Sequence, residues 1–248
     1  MASDTPPPTR ALAFGRAARA YDAYRPRYPD TAFETMEEFS GRPLAGARVA
    51  DVGTGTGIAA RALHERGARV VGVEPGAAMA AQFRSGLPGI PLVRGDGNRL
   101  PLADGSLDLV TYAQSWHWTD PSLAVPSALR ALRPGGALAL MWNDPDPSVP
   151  WVADQRSRIE KWFGPGCFIS DVHTPAELNW RKRTLRWSRR VTVDFHLAKL
   201  ATHSAVIVLD ESEATAFLAA EREQLTRHFP DGRLDEPYAT TVAVALRP

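Results

Sequence analysis

The sequence predicts an α/β fold, a mostly parallel sheet with helices on both faces. Three observations predict it. Short apolar runs alternate with helical stretches between residues 48 and 142. A glycine-rich turn follows the first run and opens a helix. Turns marked by Gly, Pro or Asp separate the remaining runs. Right-handed crossovers then leave few possible strand orders.

Residues 1–10 contain Pro6, Pro7 and Pro8 and read as a disordered tail, since prolines lack the N–H that helices and sheets use. Residues 11–28 read as a short helical stretch carrying Phe14, Tyr21, Tyr24 and Tyr28, with Pro26 and Pro29 at its end. Asp30 can cap a helix running to about Phe39. Strands are expected over 48–52, 69–73, 90–93, 107–112 and 137–142, with helices over 57–66, 76–84 and 121–132. Residues 133–136, Arg-Pro-Gly-Gly, read as a turn.

After Asn143 the rhythm changes. A proline-rich loop, 144–150, precedes a helix over 152–163. Residues 184–195 alternate like a strand, while 198–209 and 211–229 read as helices, the second capped by Asp210. Residues 238–246 are expected as a final edge strand. There is no internal repeat and no linker. One domain is therefore expected over 11–248: lid helices (11–44), a core (45–143) and an insertion covering the substrate side (144–235).

Composition excludes several function classes. Lys+Arg is 29 and Asp+Glu 28, a formal net charge of +1, so there is no global electrostatic case for nucleic acid or an anionic membrane. No run of about eighteen apolar residues exists, so no spanning helix is expected, and no leader peptide is visible. The single cysteine, Cys167, excludes an internal disulfide framework and suits a cytoplasmic location. It has no recognisable thiolate-activating partner and reads as a structural thiol. No His pair with a supporting carboxylate appears, so no metal is expected. A monomer or homodimer fits this composition. The dominance of Arg, Ala and Pro points to a GC-rich genome, for which secondary metabolism is one setting.

The chemistry concentrates in Asp51-Val52-Gly53-Thr54-Gly55-Thr56-Gly57. The glycines permit a tight turn and close ligand approach at the carboxyl end of a strand. Nicotinamide cofactors use G-x-G-x-x-G to receive a pyrophosphate. Here the spacing is G-x-G-x-G, and a carboxylate at Asp51 would oppose a pyrophosphate. It suits a ligand bearing an ammonium and a sulfonium instead. Glu74, ending the second strand, can accept ribose hydroxyls or simply complement a helix dipole. Asp96, within Gly95-Asp96-Gly97-Asn98, can accept an adenine amino group or form a β-turn.

These motifs, with 107–114 and the Leu-Arg-Pro-Gly-Gly-Ala-Leu run at 132–138, resemble class I S-adenosylmethionine (SAM) dependent methyltransferases over roughly residues 45–143. Tyr21-x-x-Tyr24-Arg25-Pro26-x-Tyr28-Pro29 and Gln114-Ser-Trp-His-Trp118 resemble a narrower branch, the trans-aconitate-methyltransferase-like group acting on small molecules. The resemblance implies a Rossmann-like seven-stranded sheet with a reversed last hairpin. It also implies SAM as cofactor and S-adenosylhomocysteine as product. Asp51, Gly53 and Gly55 would face the methionine part, Glu74 the ribose, and Asp96 and Gly97 the adenine. The expected cofactor set further includes Tyr21, Arg25, Thr54, Pro75, Met79, Asn98, Ala113, Gln114 and Ser115.

In methyl transfer from a sulfonium, the protein must align the acceptor and, where needed, take its proton. His117 is the best-placed candidate base on its near-neutral intrinsic pKa, with packing against adenosine or a bond to backbone as the alternative. Asn143 and Tyr24 join it as catalytic candidates. Trp116, Trp118, His203 and Ser204 are candidates for acceptor binding, with core packing as the alternative for the two tryptophans. Arg25 can clamp a carboxylate or make a surface ion pair. The basic stretch 181–190 fits an anionic substrate, a nucleic acid or an exposed strand face. Rival readings are a non-methylating SAM enzyme releasing methylthioadenosine, a non-catalytic SAM-binding protein and an RNA methyltransferase.

Overall fold

A computed structural model describes residues 18–164 and 173–248. Its first half alternates as expected. Helix α1 spans Ala18–Tyr24 and α2 Asp30–Ser40; then follow β1 Arg48–Val52, α3 Ile58–Glu65, β2 Arg69–Glu74, α4 Ala77–Gly86, β3 Leu92–Arg94 and β4 Leu107–Ala113. A 3₁₀ turn, Trp116–Trp118, leads to α5 Pro121–Ala131 and β5 Leu132–Pro145. The C-terminal half adds α6 Pro150–Phe163, β6 Trp180–Thr192, α7 Val193–Leu200, α8 Ser204–Ile207, α9 Glu211–His228 and β7 Arg233–Leu246.

The seven strands form one sheet in the order β3-β2-β1-β4-β5-β7-β6. Strands β1 to β5 pair in parallel; β7 runs antiparallel to both β5 and β6. This is the Rossmann-like sheet with a reversed last hairpin. Alternation along β5 separates two cores. Ala137, Ala139 and Met141 join Phe33, Met36, Leu63 and Phe83 from α2, α3 and α4 on one face. Leu138, Leu140 and Trp142 join Val125 and Ala128 of α5 on the other. A third cluster unites α6, α7, α9 and β7 through Ile159, Leu197, Phe217, Leu225 and Leu234.

Several boundaries differ from the sequence reading. The first helix ends at Tyr24, because Pro26 disfavours helix at the residue before it. Residues 11–17, like the tail 1–10 and Cys167, lie outside the described residues. Ile90 lies in a turn before β3, its amide bonded to the Leu87 carbonyl at 3.0 Å. Residues 133–136 form a bulge within β5: Leu132 pairs with Leu107 and Ala137 with Leu109. Strand β6 stops at Thr192, whose hydroxyl accepts from the Phe195 amide at 3.1 Å and caps α7. Asp210 caps α9 as expected, accepting from Glu213 at 2.8 Å. The last strand is internal rather than an edge. Residues Val242 to Ala245 are buried on both faces, and β6 covers its outer side.

Candidate active site

The glycine loop joins β1 to α3 at the carboxyl end of the sheet. The amides of Gly53 and Thr54 both donate to the Val73 carbonyl, at 2.8 and 3.1 Å, which draws the loop across β2. Gly53 has φ +64°, and a Cβ there would stand 2.5 Å from the Ser115 Cβ. Gly55 has φ +60° but faces open space. Packing against Ser115 thus requires the first glycine, whereas the second leaves room for a ligand.

Asp51, the last residue but one of β1, lies beneath this loop and is 1% exposed. Its Oδ2 accepts from the Thr54 hydroxyl at 2.6 Å. Among the described residues its Oδ1 is buried with no hydrogen-bond partner. Burial pushes the carboxyl pKa up to about 7, partly offset by the Thr54 hydrogen bond and the Ala60 amide. Such an orphan acceptor is costly unless something donates to it. An ammonium fits that need, so the residues present fit the cofactor that the loop spacing implies.

Glu74 sits just before α4, at the helix start that one of its two sequence readings gave it. Its two oxygens accept from the Gly55 amide at 2.9 Å and the Gly76 amide at 2.7 Å. The carboxylate therefore braces the glycine loop, and burial raises its pKa. Its second lone pairs remain the only capacity for ribose hydroxyls.

A cleft enclosing about 550 Å³, its open mouth included, lies over the loop. Asp51, Gly53, Thr54 and Gly55 form its floor, with Ile58 and Ala59 of α3 beside them. Tyr21, Arg25, Pro26 and Tyr28 wall it from the N-terminal segment. Ala113 and Gln114 of β4 and Asn143 of β5 close the far side. The N-terminal wall is tied to the floor by Thr56, whose hydroxyl donates to Asp22 at 3.2 Å. Gln114 has φ +57°, a left-handed conformation rare for a side-chain-bearing residue and frequent at functional sites.

The other sequence candidates fall outside this cleft lining. Pro75 is exposed and Met79 packs in the core. Asp96 is exposed in a turn, accepting from the Asn98 amide at 3.0 Å; the Asn98 side chain accepts from the Asp120 amide at 2.7 Å. The Gly97 carbonyl takes the Tyr112 hydroxyl at 2.8 Å. Ser115 is buried, donating to the Val52 carbonyl at 2.5 Å. Trp116 is buried with its indole donating to the His173 carbonyl at 3.2 Å, and the Trp118 ring lies tilted against His117 with centroids 4.8 Å apart.

His117 lacks the near-neutral pKa on which its selection rested. Burial lowers it to about 4, and among the described residues its buried Nδ1 has no hydrogen-bond partner. Tyr24 turns away from the cleft, its ring edge-on to Phe195 at 5.0 Å. Asn143 lines the cleft with its side chain engaged. It donates to the Arg27 carbonyl at 3.2 Å and accepts from Trp187 at 3.2 Å and Thr240 at 2.7 Å. Burial, aided by Arg25 and Lys199, holds His203 well below its ordinary pKa. Ser204 starts α8. The arginines of 181–190 mostly face acids: Arg181 and Arg183 meet Glu38, Arg186 meets Asp146 and Arg189 meets Glu236.

Sequence reasoning missed a buried charge network beside the cleft. Glu236 is 2% exposed and receives four donors: Arg189 at 2.6 Å, His196 at 2.6 Å, Lys199 at 2.7 Å and the Tyr238 hydroxyl at 2.9 Å. Burial opposes its ionised form, but Lys199, His196 and Arg189 outweigh that and hold its pKa well down. Burial lowers Lys199 to about 8. A signal existed: His196 and Lys199 sit among Val193, Leu197 and Leu200 on the buried face of α7. Asp144, next to Asn143, was also missed; burial raises its pKa to about 6. Among the described residues no His, Cys, Asp and Glu group could hold a metal, and no helix is long and apolar enough to cross a membrane.

Comparison with known proteins gives a consistent picture. A family model described as a methyltransferase domain matches residues 50–140. An uncharacterised methyltransferase of Mycobacterium bovis is 34% identical over 220 residues, covering 88% of this chain and 87% of its own. A demethylmenaquinone methyltransferase of Beutenbergia cavernae is 35% identical over 120 residues, 48% of this chain and 49% of its own. Among solved structures, a chain assigned as a type II methyltransferase of Anaeromyxobacter dehalogenans matches with TM-score 0.65 at 24% identity. It covers 90% of this chain and 96% of its own, a likeness of fold.

Proposed function

Because this chain belongs to the class I SAM-dependent methyltransferases, we propose that its glycine-loop cleft binds SAM and that the enzyme methylates O, N or C of a small metabolite, leaving S-adenosylhomocysteine. The observation that carries this reading is the buried, unpartnered Oδ1 of Asp51. It would accept from the cofactor's ammonium, with Gly53 and Gly55 against the methionine part and Arg25 on its carboxylate. Glu74 would keep its hold on the loop and accept ribose hydroxyls on its remaining lone pairs. Asp96 and Gly97 would border the adenine. Bound SAM supplies an activated methyl group on a sulfonium. The chain's task is then to align an acceptor and exclude water.

A small acceptor is favoured over RNA because the basic strand's arginines are largely engaged by Glu38, Asp146 and Glu236. The relative from Beutenbergia cavernae, named for demethylmenaquinone, supports the same class of acceptor. Residues 11–44 act as the lid in this reading, 45–143 as the cofactor core and 144–235 as the acceptor-side insertion, within one domain. A cytoplasmic monomer or homodimer, serving secondary metabolism, completes it. The test is mass spectrometry of the purified protein with SAM alone and then with pooled metabolites. S-adenosylhomocysteine appearing only with metabolites is expected. Methylthioadenosine from SAM alone would overturn methyl transfer while leaving the cofactor site intact.

A further inference from the structure

Arg25 walls the cleft, yet among the described residues it meets no carboxylate within ion-pair distance. Its anchor is a neutral residue far along the chain. The guanidinium Nε donates to the Thr202 hydroxyl at 3.0 Å and Nη2 to the Thr202 carbonyl at 3.1 Å. Its carbon lies 4.8 Å from the centre of the Tyr21 ring. Nη1 makes no hydrogen bond among the described residues. Thr202 is itself fixed: it is 1% exposed, and its hydroxyl donates to the Lys199 carbonyl at 2.6 Å. That donation orients the hydroxyl so that its lone pairs face Arg25.

A carboxylate anchor would hold Arg25 equally well but would neutralise it. A threonine leaves its charge intact. Its charge reaches the neighbouring groups: beside the larger effect of burial, Arg25 acts to lower the pKa of Lys199, His203 and Asp144, a carboxyl it influences without pairing. A planar donor fork, fixed on one edge and charged on the other, suits an anion in the cleft.

We propose that Thr202 is a positioning residue for the cofactor cleft, holding the Arg25 guanidinium so that its remaining donors meet a carboxylate. This rests on the reading that SAM occupies the cleft, and the carboxylate is then that of the methionine part. The C-terminal half thereby helps to set cofactor affinity through one hydroxyl.

The test is calorimetric titration of the full chain with SAM and with decarboxylated SAM, which lacks only that carboxylate. The native protein should bind SAM about tenfold or more tightly than the decarboxylated form, as a charge-assisted contact gives. Thr202→Val, which keeps the shape and removes the hydroxyl, should narrow that preference severalfold. Thr202→Ser should restore it. Arg25→Met should abolish it, and adding Thr202→Val to Arg25→Met should change nothing further. Thermal melts of each variant separate lost affinity from lost fold, with Thr202→Ala as a second hydroxyl deletion. An unchanged preference in folded Thr202→Val or Thr202→Ala overturns the proposal. So does an additive double variant. A native protein that binds neither ligand overturns the cofactor reading itself.

Discussion

The two ends of the sheet treat buried carboxylates in opposite ways. At the amino end, Asp108 is saturated. It accepts from the Arg48 amide at 2.9 Å, Arg48 Nε at 3.0 Å, Arg42 at 3.2 Å and the Arg133 guanidinium. Those donors, Arg48 first, hold its pKa far below the ordinary carboxylate range despite burial. At the carboxyl end, Asp51 accepts a single side-chain hydrogen bond, from Thr54, and among the described residues its Oδ1 has no hydrogen-bond partner. One end uses its carboxylate to hold the fold; the other leaves a carboxylate with acceptor capacity that the described residues do not fill. Unsatisfied capacity, rather than burial or charge, separates the binding end from the structural end.

Substitution at each end should break that symmetry most strongly. Asp51→Asn should weaken SAM binding by about a hundredfold, the scale of a lost charge-assisted contact in a dry site. Its melting temperature should hold or rise, because a poorly satisfied buried carboxyl has been removed. Asp108→Ala should do the reverse. Losing the shared partner of three arginines should cost about 1–3 kcal/mol of unfolding free energy, with SAM affinity unchanged. Denaturant melts and calorimetry on both variants check the pair. Equal loss of affinity in both would erase the distinction.

The pH dependence sharpens the comparison. Asp51 titrates near 7 in the free protein, and a cation beside it favours the ionised form. SAM binding should therefore release a proton below pH 7. Affinity should rise with pH up to about 7, by at most tenfold per unit, and then level. Asp51→Asn should flatten that profile. Stability runs the other way. A carboxyl whose folded pKa is raised stabilises the fold fully below its unfolded pKa, about 3.9. That contribution is lost as pH rises to about 7. For Asp108, lowered in the folded state, stability is present above about 3.9 and lost as pH falls.

The same contrast explains what was legible in the sequence. Alternating runs and the glycine spacing reveal β1 to β5 and the floor of the cleft, since period and turn chemistry are local properties. The bulge at 133–136 is not local: only the pairing of Leu132 with Leu107 turns an apparent loop into strand. The position of β7 inside the sheet depends on β6 covering it, which residues 238–246 cannot announce alone. Site candidates divide in the same way. Asp51 and Gly55 were readable because the loop carries them. The pKa of His117 was not readable, because burial, a tertiary quantity, lowers it to about 4. Thr202 and Glu236 gave no local sign, since their meaning comes from Arg25 and Arg189, far away in the chain.

The smallest effect is also the cleanest comparison of the two ends. Gly55 and Gly135 have left-handed φ angles, +60° and +68°, and a Cβ on either would meet no protein atom closer than 4.0 Å. Gly55 opens on the cleft, while the carbonyl of Gly135 accepts from Arg42 beside Asp108. Alanine at either should carry the same backbone strain, about 1 kcal/mol, visible as matched shifts in denaturant midpoint. Only Gly55→Ala should also weaken SAM binding, because only there would the new methyl group meet the methionine part in the proposed cofactor reading. Matched losses of affinity would mean that the strain acts on the whole sheet and that the space above Gly55 is not the cofactor's.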